Sequence, residues 1–192
     1  QGLAHLGAIV YCVGRDETKF KVFDPFLKDN PQCEIHFKKA DLRDEDSVRR
    51  LSAEIFDSNK KIDGLINNAA DISVRGIDLN ESLESWNQGL EDTLTPSFLC
   101  CKHFMPLMTK AGGGSVVNNA SLWGFLSPNL NMYLDLGNEP PLFLPPAKGA
   151  VIQLTKYLAS IVAPQGVRVN AVSPGWFPRR GNGPERLDYV KE

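Results

Sequence analysis

The sequence predicts an α/β fold, a doubly wound parallel sheet with helices on both faces. Two observations carry this expectation. Short apolar runs alternate with longer segments of helical periodicity along the chain, the pattern of parallel strands joined by helical crossovers. Polar residues then gather where the apolar runs end, and open α/β sheets bind ligands beyond the carboxyl ends of their strands.

Each element has its own local justification. Gln1 to Gly7 reads as the last turns of a helix, with Gly7 as a left-handed stop. Ala8 to Val13 is an apolar run of strand length, suited to burial on both faces. The acidic stretch from Asp41 to Asp46 leads into Val48, Leu51 and Ile55, which share one helical face and place carboxylates at the positive end of the helix dipole. Lys61 to Asn67 reads as a strand ending in polar residues. A long helical region follows, with Trp86, Leu90, Leu94, Phe98, Leu99, Met105 and Met108 as its inner stripe and kinks at Pro96 and Pro106. Gly112-Gly113-Gly114 ends it. Ser115 to Asn119 and Gly166 to Val172 are strands, and Val151, Leu154, Leu158 and Val162 mark a helix from Lys148 to Ala163. Phe125 to Pro146 has no consistent period and reads as a long loop.

Length and composition bound the function. The chain has 192 residues, 42% hydrophobic and 23% charged, values of an ordinary globular domain. We expect one domain over residues 1–192, incomplete at both ends, because the helix at the start is abrupt and no initiating methionine precedes it. With 21 basic and 23 acidic residues the net charge is −2, so electrostatics favours neither nucleic acid nor an anionic membrane as partner. No apolar run reaches membrane-spanning length. Cys12, Cys33, Cys100 and Cys101 form no C-x-x-C pair, which fits a reducing, cytoplasmic setting. His5, His36 and His103 share no ligand spacing, so no metal is expected.

The polar strand ends converge on one crevice: Gly14-Arg15, Asp41-Leu42, Asn67 to Ala70, Asn118 to Ser121, and Ser173-Pro174-Gly175. This convergence points to a nucleotide site, through the order and spacing of the pieces together rather than any one alone. With Asn67-Asn68-Ala69-Ala70, then Ser121, Lys148 and Val169-Asn170-Ala171-Val172-Ser173-Pro174-Gly175, the chain resembles the short-chain dehydrogenase/reductase superfamily. The resemblance implies a Rossmann-like NAD(P)-binding domain and hydride transfer between NAD(P) and a small alcohol or carbonyl. It places Asp41 and Leu42 at the adenine and Asn68, Ala69 and Ala70 beside the adenosine ribose. Pro174, Gly175 and Phe177 fall beside the nicotinamide, Ser121 on the substrate oxygen, and Lys148 on the nicotinamide ribose. Gly14 stands where NAD-preferring relatives carry an acid, and Arg15 follows, a pairing that suits the 2′-phosphate of NADP over NAD. A solvated surface arginine is the competing reading of Arg15. Family members pair through two helices, here Ser85 to Lys110 and the helix from Lys148, so a homo-oligomer is implied for a full-length form.

The departures are as informative. Leu144 stands where the family's catalytic tyrosine precedes its lysine by four residues, and leucine has no ionisable proton. Ala70 replaces the usual glycine, Thr93 replaces an asparagine of the proton relay, and the glycine-rich pyrophosphate turn would lie before Gln1. Distance from Ser121 points instead to Tyr133, which has Gly137 rather than a lysine four residues on; a loop tyrosine in water is the more ordinary reading. Pro145 and Pro146 bias the residues before them toward extended backbone, so residues 144 and 148 are not expected to align on a helix. On that ground Leu144→Tyr alone would restore little reductase activity. Three readings result: an NADP-dependent oxidoreductase, a pseudoenzyme that binds dinucleotide or only a partner chain through its helices, or a degenerate or incomplete gene product with no independent function.

Overall fold

The computed structural model describes residues 1–70, 79–129 and 140–175. It has a Rossmann-like α/β fold with its parallel strands in two pieces. Strand β1 (Val10–Gly14) pairs with β2 (Ile35–Lys39), and β3 (Gly64–Asn67), β4 (Gly114–Asn119) and β5 (Val167–Val172) follow in that spatial order, all parallel. Among the described residues only β4 is paired on both sides. Helix α1 (Gly2–His5) ends at Gly7, whose φ of +86° is the left-handed stop expected of it.

Alternation along the strands sets the layers. Tyr11 and Val13 of β1 join the main core with Leu65, Val116 and Val169 of the other sheet. Helix α3 (Glu45–Asn59) supplies Val48, Leu51 and Ile55 to that core, so it spans both pieces. Asp44 caps this helix by accepting from the Ser47 amide at 3.0 Å. The alternate residues Val10 and Cys12 face a smaller cluster with Phe20, Phe23, Phe26 and Ile35, into which Ala4 of α1 and Leu27 of α2 (Asp24–Asp29) pack. The β1–β2 pair is thus covered on both faces.

The long helical region divides into α4 (Leu83–Thr93) and α5 (Thr95–Lys110), with Pro96 in the first turn of α5 and Pro106 inside it. The break resets the helical phase. Phe98, expected on the inner stripe, is 46% exposed, while Leu99, Cys100, Cys101, Phe104, Met105 and Met108 are buried. Gly113 (φ +122°) lies so close to Gly166 that a side chain there would strike the Gly166 carbonyl, and this contact brings the starts of β4 and β5 together.

Helix α6 (Leu144–Val162) corrects two expectations: it starts four residues before Lys148, and Leu144 is helical. Pro145 and Pro146 fall in its first turn, where backbone N–H groups have no intrahelical partner to lose. Burial outweighs the bias against helix before proline: Phe143 is 1% and Leu144 5% exposed, and the Phe143 ring packs directly on Gly89 of α4.

Candidate functional site

At the carboxyl ends of β1, β2 and β3 lies a cleft of about 560 Å³, lined among others by Gly14, Arg15, Asp41, Leu42, Ala69 and Ala70. Arg43 grips its floor. Its Nε and Nη2 donate to the two Asp41 carboxylate oxygens at 3.0 and 2.7 Å, and its Nη1 donates to Asp92 Oδ1 on α4 at 2.9 Å. The Arg43 amide also donates to Asp41 Oδ1 at 3.0 Å. Hydrogen bonds from Arg43 hold the Asp41 carboxyl down to about 2. Both Asp41 oxygens are therefore engaged, and the Leu42 backbone is what this turn offers a ligand most freely.

A second group forms where β4 and β5 end. Lys148 is 8% exposed and donates from Nζ to the Asn119 carbonyl at 2.7 Å. Its burial pushes the ammonium below the usual lysine range. Ser121 Oγ accepts from the Trp123 amide at 3.3 Å, which leaves the hydroxyl proton to be donated elsewhere. The Leu122 amide donates to the Pro174 carbonyl at 3.1 Å, so the turn after Ser121 and the Pro174-Gly175 segment adjoin. Gly124 has no room for a side chain, since a Cβ would sit 2.9 Å from the Lys148 carbonyl. That close approach seats the Ser121 turn on α6 beside the lysine. Leu144, one helical turn earlier, is buried and apolar. The Thr93 hydroxyl is buried with no hydrogen-bond partner among the described residues.

Two asparagine pairs tie the strand ends together. On the helix-covered face Asn67 donates to Asn118 Oδ1 at 2.8 Å, Asn118 donates to Thr155 Oγ1 at 2.8 Å, and Thr155 donates to the Val151 carbonyl at 2.7 Å. Asn67 also donates to Cys101 Sγ at 3.3 Å. Burial pushes the Cys101 thiol up to about 11 and Cys100 to about 12, so both are packing groups and not nucleophiles. On the opposite face Asn119 Nδ2 donates to Asn68 Oδ1 at 2.7 Å.

The structure thus brings Arg15, Asp41, Leu42, Ala69 and Ala70 to the cleft, and Ser121, Lys148, Pro174 and Gly175 to the second group, with Asn68 joined to Asn119 between them. Tyr133 and Phe177 lie outside the described residues. Sequence reasoning placed Asn68 beside the adenosine ribose but gave no separate role to Arg43, Asp92 or the other asparagines. The repeated Asn-Asn doublet, at 67–68 and 118–119, was the signal available for the latter.

Comparison with known proteins agrees with this fold. The family model described as Enoyl-(Acyl carrier protein) reductase matches residues 1–184. The chain belongs to the short-chain dehydrogenase/reductase superfamily. Curated members of the superfamily similar to it include an uncharacterized oxidoreductase of Thermotoga maritima, 32% identical over 145 residues that make up 75% of this chain and 52% of that protein. Another is the 3-oxoacyl-[acyl-carrier-protein] reductase FabG of Aquifex aeolicus, 30% identical over 175 residues, 91% of this chain and 66% of that one. The chain thus spans between half and two thirds of these relatives' lengths. Among solved structures, the Pseudomonas aeruginosa RhlG/NADP active-site complex superposes with a TM-score of 0.81 at 25% identity, covering 98% of this chain and 73% of that one. The superfamily's members are NAD(P)-dependent oxidoreductases, and the chain carries that family's fold.

Proposed function

We propose that the chain is the NADP- and carbonyl-binding domain, residues 1–192, of an oxidoreductase acting on a small alcohol or carbonyl. The observation that carries this reading is the seating of Lys148. A buried ammonium is costly, and this one is held by the Asn119 carbonyl at the end of the sheet where Ser121 presents its hydroxyl.

The residues fit a dinucleotide in two halves. Leu42, Ala69 and Ala70 suit the adenosine half, with Asp41 fixing the turn; Lys148, Pro174 and Gly175 suit the nicotinamide half, and we place Phe177 there too. The cofactor supplies the hydride acceptor or donor. Ser121 donates its hydroxyl proton to the substrate oxygen, since the bond it accepts from the Trp123 amide does not use that proton. Lys148 orients the ribose hydroxyls from its anchored position. Leu144 moves no proton; that task falls to water beside Lys148 or to Tyr133.

The end of β1 supports NADP over NAD. Gly14 presents no carboxylate that would repel a 2′-phosphate, and Asp16 turns its Oδ1 to the Thr18 amide and hydroxyl at 2.9 and 2.6 Å, which supports Arg15 as the group that meets the phosphate. A Cβ at Gly14 meets only Phe37, at an ordinary 3.7 Å, so an aspartate is accommodated there. Gly14→Asp is expected to shift the ratio of NADPH to NADH affinity toward NADH by about tenfold or more. Fluorescence titration with both cofactors measures it, and an unchanged ratio would remove Arg15 from the site.

A second reading, a dinucleotide-binding protein without turnover, is favoured by one observation, the buried leucine at 144. NADPH binding without oxidation against a carbonyl panel would select it. Exposed Phe98 on α5 with Tyr157 and Ile161 on α6 supports pairing of two copies through these helices. The four free cysteines support a reducing, cytoplasmic setting. No described helix is long and apolar enough to cross a membrane.

A further inference from the structure

We propose that Asn119 is a positioning residue, whose side chain turns the Asn68 amide so that its Nδ2 group faces the ligand as a donor. The inference rests on the cofactor reading above and deepens it.

The two asparagine pairs have the same chemistry and different surroundings. Strand alternation puts Asn67 and Asn118 on the face covered by α5 and α6, where Asn118 is fully buried and its amide is spent on Thr155. That pair is part of the core. The next residues, Asn68 and Asn119, project to the opposite face; Asn68 is exposed and Asn119 partly so. A hydrogen bond in water contributes little to stability, so this pair matters chiefly for orientation. An asparagine amide has one accepting and one donating end. Because Asn119 Nδ2 donates to Asn68 Oδ1, that oxygen is turned toward Asn119 and the Asn68 NH₂ is directed to the other side.

Asn119 also stands at the joint of the two halves of the site. Its side chain holds Asn68, which immediately precedes Ala69 and Ala70 of the cleft wall, and its carbonyl holds Lys148. Any residue at 119 could supply the carbonyl. Only one with a donating side chain of this reach can orient Asn68. Ribose hydroxyl oxygens accept hydrogen bonds, so a fixed NH₂ beside the Ala69-Ala70 turn selects the ribose of a dinucleotide over an apolar ligand.

The test combines side-chain NMR of the isotope-labelled chain with NADPH titration. In the unliganded parent, one Asn119 side-chain amide proton is expected to be shifted downfield and slow to exchange. Asn119→Asp keeps the shape but can only accept, so the protected amide proton should move to Asn68, whose NH₂ now turns away from the ligand. Asn119→Leu should leave neither amide protected. Both variants should keep the parent's Tm and bind NADPH about three- to tenfold more weakly. Asn68→Ala should weaken binding to the same degree, and Asn68→Ala combined with Asn119→Leu should be no worse than either alone. Unchanged NADPH affinity in both Asn119 variants, or additive losses in the double variant, would overturn the proposal while leaving the cofactor reading intact. Failure of the parent itself to bind NADPH would overturn the cofactor reading, and this inference with it. Should Asn119→Leu not fold, the isosteric aspartate variant decides the matter alone.

Discussion

Leu144 stands one helical turn before Lys148, on the same face of α6, and both are buried. The expectation that Leu144→Tyr would restore little activity rested on an extended backbone that the helix does not have. With residue 144 helical, the substitution sets a phenol beside a lysine whose charge can lower the phenol's pKa. We therefore expect Leu144→Tyr to raise NADPH-dependent carbonyl turnover by at least about tenfold. The larger ring should lower Tm by crowding a filled site. Steady-state NADPH oxidation measures the gain, and no change would return the chain to the non-catalytic reading. Arg43 offers a second test at this scale. Asp41 is held at about 2 chiefly by hydrogen bonds from Arg43, so its carboxylate stabilises the fold above its ordinary pKa of 3.8. That contribution fades as pH falls from there through about 2. Arg43→Ala should return the Asp41 carboxyl toward 3.8, read from its NMR titration, and narrow the acid range over which the fold persists.

The elements that bear the site are held by contacts of small residues as much as by large apolar ones. Phe143 is locked against Gly89, and this contact starts α6 early enough to make residue 144 helical. Gly89→Ala forces the ring out and should cost about 1–3 kcal/mol in chemical denaturation. A loss well below that would show that Phe143 has space to move. At this scale much of the fold was legible. The face of α3, the Gly7 stop and the strand runs all follow from local periodicity and from glycine's access to positive φ. The start of α6 was not, because a propensity rule for the residue before proline was outweighed by burial of Phe143 and Leu144. The inward placement of Phe98 failed for a related reason: one irregular residue, Leu94, resets the phase of everything after it.

For the whole molecule, the split sheet is the dominant feature. β4 is paired on both sides, whereas β1, β2, β3 and β5 each pair on one side only among the described residues. On the face of the three-stranded sheet opposite α5 and α6, Ile66 is 59% and Val172 54% exposed. Exposed apolar residues gathered on one sheet face favour association between copies. The chain should therefore elute larger than a monomer as concentration rises. Ile66→Lys should shift it toward monomer in size-exclusion chromatography with light scattering, without loss of Tm. Persistence of the same assembly would point instead to the exposed side chains of α5 and α6.

The amino-acid order alone dictated the alternation of strand and helix, the polar strand ends and the family, because these depend on local periodicity and on short motifs with fixed spacing. It also showed that residue 144 carries no proton. Tertiary packing decided what that position can become, through Phe143 on Gly89, and which asparagines are core and which face a ligand. It alone clamped Asp41 to Asp92 through Arg43, two carboxylates 51 positions apart in the chain. Such choices rest on contacts between segments distant in sequence, and no local pattern encodes which of two chemically identical neighbours will meet the solvent.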